Sequence, residues 1–325
     1  MTRESAPPTD DSLVASAFAE AGLAAWAPVP GPALAAGLEG LPAAVLSRYG
    51  LDRGKRAWAV ALAYGEGPAA PPAWAAAWLA ARPGPLATIG RFARANWYAE
   101  LVSRLKRAAA SIRAGLGARG LEPGAPGEWR CLANSGLPEK RLALAAGLGG
   151  LGRHGLVMLP GAGPACVLGL LLAPAGAGAE ASAVAPSGAR EPPRPGTDPA
   201  CEGCGECLFA CPTGALGPAG YSRELCIQHW STLPGPLPPE IEAAWGPRLY
   251  GCDACLEACP RFRPDPGAVS TLGPLGPGLP AEWLLEASDE ELRSRLRGTA
   301  LGLGWMPLEA FRRNARLALR ARGGS

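Results

Sequence analysis

Hydrophobic and polar positions alternate between strand-like and helix-like periods over the first half of the chain. Residues 57–65, AWAVALAYG, form an unbroken apolar run closed by Gly65 and Gly67, the pattern of a buried strand. GLVMLP at 155–160 and ACVLGLLLAP at 165–174 read as two more. Between them, residues 89–112 (IGRFARANWYAELVSRLKRAAASI) set Phe92, Ala95, Tyr98, Leu101 and Leu105 at spacings of three and four with arginines opposite. That spacing predicts an amphipathic helix laid on a sheet. Residues 175–199 are small, Pro-rich and aperiodic, which suits a linker or extended loop. After a Gly/Pro-rich stretch at 264–280, Ser288 and Glu291 have the spacing of a capping box ahead of Leu292 and Leu296, and a last helix, LEAFRRNARLALRAR, follows.

These patterns predict an α+β chain. An N-terminal α/β cofactor-binding domain (1–172) leads through a linker (173–199) to a ferredoxin-like module (200–265) and a C-terminal helical segment (266–325). The N-terminus has no basic start followed by an apolar core, and the longest apolar runs fall short of a bilayer span, so a soluble, cytoplasmic protein without membrane contact is expected. A monomer is expected too. With 31 Lys and Arg against 28 Asp and Glu, the formal charge of +3 makes no case for a dedicated nucleic-acid module.

The cysteines change the picture. Eight of the ten fall between Cys201 and Cys259, too dense and too regular for a disulfide framework in a chain of this length. CEGCGECLFACP at 201–212 gives Cys-x2-Cys-x2-Cys-x3-Cys-Pro, and CDACLEACP at 252–260 repeats its end after a lone Cys226. In two-cluster ferredoxins the fourth cysteine of such a run crosses to the other cubane. Cys201, Cys204, Cys207 and Cys259 would then hold one 4Fe-4S cluster, and Cys211, Cys226, Cys252 and Cys255 the other. Zinc sites use two separated pairs and do not demand the x2, x2, x3, Pro run. Two clusters with exchanged ligands form an electron wire, which needs an external donor of ferredoxin or flavodoxin type and an acceptor within.

GLGGLGRHG at 147–155 contains G-x-G-x-x-G, but it follows a helical stretch and precedes a strand, the reverse of a dinucleotide-binding loop. The same glycines suit a turn that brings backbone close to a large planar cofactor. His154 is read as a functional donor or a solvent-facing loop residue, and His229, just after Cys226, as a residue supporting the ligands from behind or lying on the surface. Cys166 falls in an apolar strand, the usual place of a buried free thiol, and Cys131 in a loop. Arg312, Arg313, Arg316, Arg320 and Arg322 read as the solvated face of the last helix, with phosphate contact as the alternative.

These segments together resemble the epoxyqueuosine reductases, cobalamin and iron-sulfur enzymes that reduce an epoxide on a modified tRNA base. The likeness runs from about residue 55 to 320. CxxCxxCxxxCPTGAL, GPLPPE and GPRLYGCDACLEACP match the family's cluster region, and PEKRLALAAGLGGLGRHGLVML, LRGTAL and RNARLAL match segments that are far less widespread. The resemblance implies a corrinoid in the first domain, with Tyr98, Arg153 and His154 as candidates to hold it, and tRNA as a partner. Two departures stand out. The family's proton-donating aspartate is replaced by Ala133 or Asn134, depending on register, which leaves Asn134 as the candidate at the catalytic position, and the family's Asp-Tyr-His reads Trp97, Tyr98, Ala99. The preferred reading is a reductase that passes electrons through two clusters to cobalamin, acting on epoxyqueuosine in tRNA or a related substrate. The alternatives are an electron-transfer or reductive-activase protein without its own corrinoid, and a tRNA-binding remnant.

Overall fold

The structure, a computed structural model, describes residues 10–51, 54–175, 198–218, 220–302, 304 and 306–323. Most of the predicted linker, residues 176–197, lies outside the described residues. The chain divides into two compact units, each drawn from three stretches: Met1–Leu62, Tyr98–Gly150 and Val167–Arg194 in the first, and Ala63–Trp97, Leu151–Cys166 and Pro195–Ser325 in the second.

The first unit is built on a four-stranded sheet in the order Ala25–Pro28, Lys55–Ala63, Cys166–Pro174, Arg130–Ala133. The outer pairings are antiparallel, with Ala25 opposite Ala61 and Cys131 opposite Leu171. Residues Ala57 to Leu62 are all buried, as the unbroken apolar run requires of a strand covered on both faces. Cys131 therefore sits on a strand and not in the predicted loop, because its neighbour Leu132 pairs with Leu170 across the sheet. Gly169 permits that pairing at close range: a Cβ there would come within 2.4 Å of the Leu132 carbonyl.

The long helix spans Trp97–Ala118 and not 89–112. Its buried stripe is Leu101, Leu105, Ala108, Ile112 and Leu116, at helical spacing, none more than 2% exposed. Phe92 and Ala95 precede the helix because Ile89 and Gly90 are drawn into a sheet, donating to the carbonyls of Pro277 and Tyr250, and Arg91–Ala93 make only a single 3-10 turn. Arg104, on the polar side, is not simply solvated: its guanidinium reaches Glu100 at 2.8 Å and the Gly22 carbonyl at 2.9 Å.

The second unit carries a three-stranded sheet in which Leu86–Ile89 lies between a parallel Arg248–Tyr250 and an antiparallel Gly278–Pro280. Leu249, Leu279, Trp283, Leu284, Leu296 and Phe311 belong to one apolar core that joins this sheet to the C-terminal helices. The predicted cap is half realised. Ser288 Oγ accepts from the Glu291 N–H at 3.1 Å and starts the Asp289–Leu296 helix, while the Glu291 carboxylate accepts from Trp283 Nε1 instead of closing the box. The final helix, Leu308–Gly323, is strongly amphipathic, with Ala310, Phe311, Asn314, Ala315 and Ala318 buried. Among the described residues, no helix is long and apolar enough to cross a membrane.

Candidate metal centre

All eight spaced cysteines belong to the second unit. Cys201 ends a Pro199–Cys201 3-10 turn capped by Asp198, whose carboxylate accepts from the Ala200 N–H at 2.9 Å; Cys207 lies on the short Glu206–Phe209 helix, and Cys204 in the segment between them. Cys255 and the segment before Cys259 lie on a matching short helix, Ala254–Glu257. Tight single turns of this kind bring cysteines three positions apart onto one side of a cubane.

Cys201, Cys204, Cys207 and Cys259 line one cavity, together with Arg153, His154, Met158 and Arg261. Burial pushes the Cys207 thiol up, and Cys201, Cys259 and Cys204 push it further, so the four sulfurs are near enough to sense one another. The other four form a second neighbourhood. Burial raises the Cys255 thiol to about 12, with Cys252, Cys226, Cys207 and Cys211 all adding to it. Cys207 contributes because the two neighbourhoods adjoin. Among the described residues no three of His, Cys, Asp and Glu converge tightly enough for a single ion. Thiols gathered in fours at wider spacing suit a cluster whose corners, and not one central atom, are ligated.

Backbone donors are turned toward these sulfurs. The Arg153 N–H donates to Cys201 Sγ at 3.4 Å. At Cys211, burial would raise the thiol, but the backbone N–H groups of Thr213, Leu216 and Ala215 and the Thr213 hydroxyl outweigh it and hold the thiol below its ordinary value. That hydroxyl lies 3.7 Å from Cys211 Sγ and 2.5 Å from the Leu225 carbonyl, which ties the first cysteine run to the segment ahead of Cys226. N–H groups aimed at sulfur stabilise thiolate and tune cluster potential, so the residues present fit two 4Fe-4S groups.

The Gly-rich turn has the order read from sequence. The Glu139–Ala145 helix precedes it, and Gly150–Leu151 and Val157–Met158 form a two-stranded ribbon around residues 152–156, so no helix N-terminus is available for a dinucleotide. Arg153 and His154 sit at the tip of that ribbon and line the cysteine cavity. Arg153 Nη2 also donates to the Cys201 carbonyl at 3.3 Å. His154 is 7% exposed, and burial pushes its imidazole down to about 4, with Asp198 opposing. His229 lies elsewhere in the unit, its Nδ1 accepting from Arg223 Nε at 3.1 Å and its ring against Trp230.

Tyr98 and Asn134 belong to the first unit. Tyr98 lies in the first turn of the Trp97–Ala118 helix. Asn134 follows the Arg130–Ala133 strand and, at φ 50°, is the one non-glycine residue with positive φ among those described. The loop after it is pinned locally: the Ser135 N–H donates to Glu139 Oε1 at 2.7 Å, and the Gly136 N–H to the Tyr49 hydroxyl at 3.2 Å. Glu139 is thereby structural.

Sequence reasoning missed the contribution of the last helix to this centre. Asn314 is fully buried and donates to the carbonyls of Ser231 and Leu249, each at 2.9 Å. Arg313 donates to the carbonyls of Trp230 and Gly235, each at 2.7 Å, and stands over the Trp245 ring. Arg312 reaches the Ala287 carbonyl and Asp289. Arg312 and Arg313 thus depart from the solvated face expected of them, because each finds several backbone carbonyls within its own unit. The signal was Asn314 itself, an amide that follows Arg312 and Arg313 but shares its helix face with Ala310, Phe311, Ala315 and Ala318.

Residues 200–261 match the family model described as a 4Fe-4S double cluster binding domain. An epoxyqueuosine reductase of Burkholderia pseudomallei is 31% identical over 326 residues, covering 88% of this chain and 75% of that protein. The Bacillus subtilis enzyme of the same name is 36% identical over 131 residues, 37% of this chain. The match spans 31% of the Bacillus subtilis protein's length and 42% of a Staphylococcus aureus relative's. Among solved structures, an epoxyqueuosine reductase from Streptococcus thermophilus covers 96% of this chain and 81% of its own at TM-score 0.66 and 19% identity. Another, solved with an epoxyqueuosine-modified tRNA-Tyr stem loop, covers the same shares at TM-score 0.60 and 20% identity. These likenesses establish a shared fold. With the extent of the Burkholderia match and the double-cluster domain, they place the chain in the epoxyqueuosine reductase family.

Proposed function

We propose that this chain is an iron-sulfur oxidoreductase that carries electrons through two 4Fe-4S clusters to a bound cobalamin for the reduction of epoxyqueuosine in tRNA or a related substrate. The observation that carries the proposal is the gathering of the eight cysteines into two adjoining sets, one of them lining a single cavity. Cys201, Cys204, Cys207 and Cys259 would hold one cluster, and Cys211, Cys226, Cys252 and Cys255 the other. Adjoining sets favour electron passage, since neighbouring clusters exchange electrons without a mobile carrier.

The cobalamin enters through family membership, and it would supply a redox-active cobalt to the substrate. The chain's own residues set the terms around it. Arg153 serves the cysteine cavity directly, which leaves Tyr98 as the first unit's candidate toward a corrinoid. Asn134 offers an amide where the family carries a carboxylic acid, so it can orient an oxygen by hydrogen bonding but cannot deliver a proton as an acid does. An external donor of ferredoxin or flavodoxin type would supply electrons.

Anaerobic reconstitution with iron, sulfide and cobalamin, followed by metal counts and assay on epoxyqueuosine-containing tRNA, tests the proposal. About eight irons and one cobalt per chain with turnover support it. About eight irons with no retained cobalt would favour an electron-transfer protein that serves a partner corrinoid or flavin.

A further inference from the structure

We propose that His154 is a hydrogen-bond donor to the cluster held by Cys201, Cys204, Cys207 and Cys259, and that it raises the reduction potential of that cluster. The inference rests on the ligand grouping proposed above and adds a residue that the cysteine spacing does not reveal.

The argument is one of hydrogen-bond valence. The Leu156 N–H donates to His154 Nδ1 at 3.2 Å. A nitrogen that accepts carries no proton, so the ring is neutral and its hydrogen is on Nε2. That Nε2 is buried and has no partner among the described residues, and the residue as a whole is 7% exposed. A buried N–H left without an acceptor is destabilising, so an acceptor in the same space is the simplest explanation. His154 lines the cavity that the four cysteines line, and thiolate or inorganic sulfide is the acceptor this chemistry would place there.

Two further features show the ring is placed and not merely tolerated. A Cβ on Gly152 would lie 2.5 Å from His154 Cε1, so only glycine lets the imidazole fold back over the turn. The next residue along, Arg153, already directs its backbone N–H at Cys201 Sγ and keeps its buried Nε without a partner. The 152–156 turn thus brings the Arg153 N–H and the His154 ring to one cavity. Donors to cluster sulfur favour the more negative, reduced state and so raise the potential.

His154→Phe removes the donor at similar volume, and His154→Gln keeps an N–H. Wild-type iron and sulfide counts, taken first, test the two-cluster reading by itself. EPR-monitored redox titration should then show one of two clusters made harder to reduce in His154→Phe by about tenfold, ~59 mV for a one-electron couple, with the other unmoved and His154→Gln restoring most of the shift. In wild-type protein labelled with 15N-histidine, pulsed EPR should detect a histidine nitrogen and an exchangeable proton coupled to the reduced cluster, a readout that needs no variant to fold. Unchanged potentials in a fully loaded His154→Phe, or no histidine coupling in wild type, would overturn the assignment.

Discussion

Asn314 donates its side-chain amide to the Leu249 carbonyl at 2.9 Å, three residues ahead of Cys252. The same amide reaches the Ser231 carbonyl, five residues beyond Cys226, so one buried side chain of the last helix braces the backbone just after Cys226 and just before Cys252. Its Oδ1 accepts from Arg313 Nη2 at 2.9 Å, which completes the network. A fully satisfied polar group inside an apolar core fixes one arrangement strongly, because every alternative leaves a donor or acceptor bare.

Asn314→Leu should therefore destabilise by about 2 to 4 kcal/mol, since two buried carbonyls lose their donor. Thermal unfolding of the apo protein reads that loss. Reconstitution of the variant should also yield less iron, and an unchanged melting temperature would show that water replaces the amide.

The arginines of the same helix should separate cleanly. Arg313→Ala leaves the carbonyls of Trp230, Leu233 and Gly235 without their shared donor and is expected to cost about 2 to 4 kcal/mol, whereas the exposed Arg316→Ala should stay within about 0.5 kcal/mol. Equal effects in denaturant melts would return both to a solvated face.

Much of this was legible in the sequence because short-range chemistry dictates it. The cysteine spacing, the Ser288 cap and the buried run at Ala57–Leu62 each need only a few neighbouring residues to be read. The start of the long helix was not legible, because the pairing of Ile89 and Gly90 with residues far along the chain decides it. Asn314 was missed for the same reason: an amide beside arginines in an amphipathic helix reads as solvated until the carbonyls that surround it are known.

Asn134 holds a left-handed conformation that aspartate also tolerates. Asn134→Asp should keep the melting temperature and raise turnover on epoxyqueuosine tRNA, by supplying the acid the family uses. Asn134→Gly should stabilise by about 0.5 to 1 kcal/mol through relief of the positive φ, without restoring activity. An Asp variant no faster than wild type would mean that position 134 does not face the substrate.

The two cysteines outside the spacing should be inert. Burial raises the Cys131 thiol to about 11, with Lys106 opposing, and raises Cys166 to about 12. Since the unfolded chain ionises first, both thiols favour the folded state below pH ~8.5, and that contribution fades as pH climbs toward the folded values. Iodoacetamide at pH 8 should label both in loaded protein about a hundredfold more slowly than a free thiol. Rapid labelling of either, read by mass spectrometry, would show that its strand opens.

The crossed ligation is tested most directly by single Cys→Ser variants reconstituted anaerobically and examined by EPR. Cys259→Ser should perturb the same cluster signal as Cys204→Ser, and Cys211→Ser the same signal as Cys255→Ser. If Cys259→Ser instead perturbed the signal that Cys255→Ser perturbs, each cysteine run would hold its own cluster and the account would be wrong.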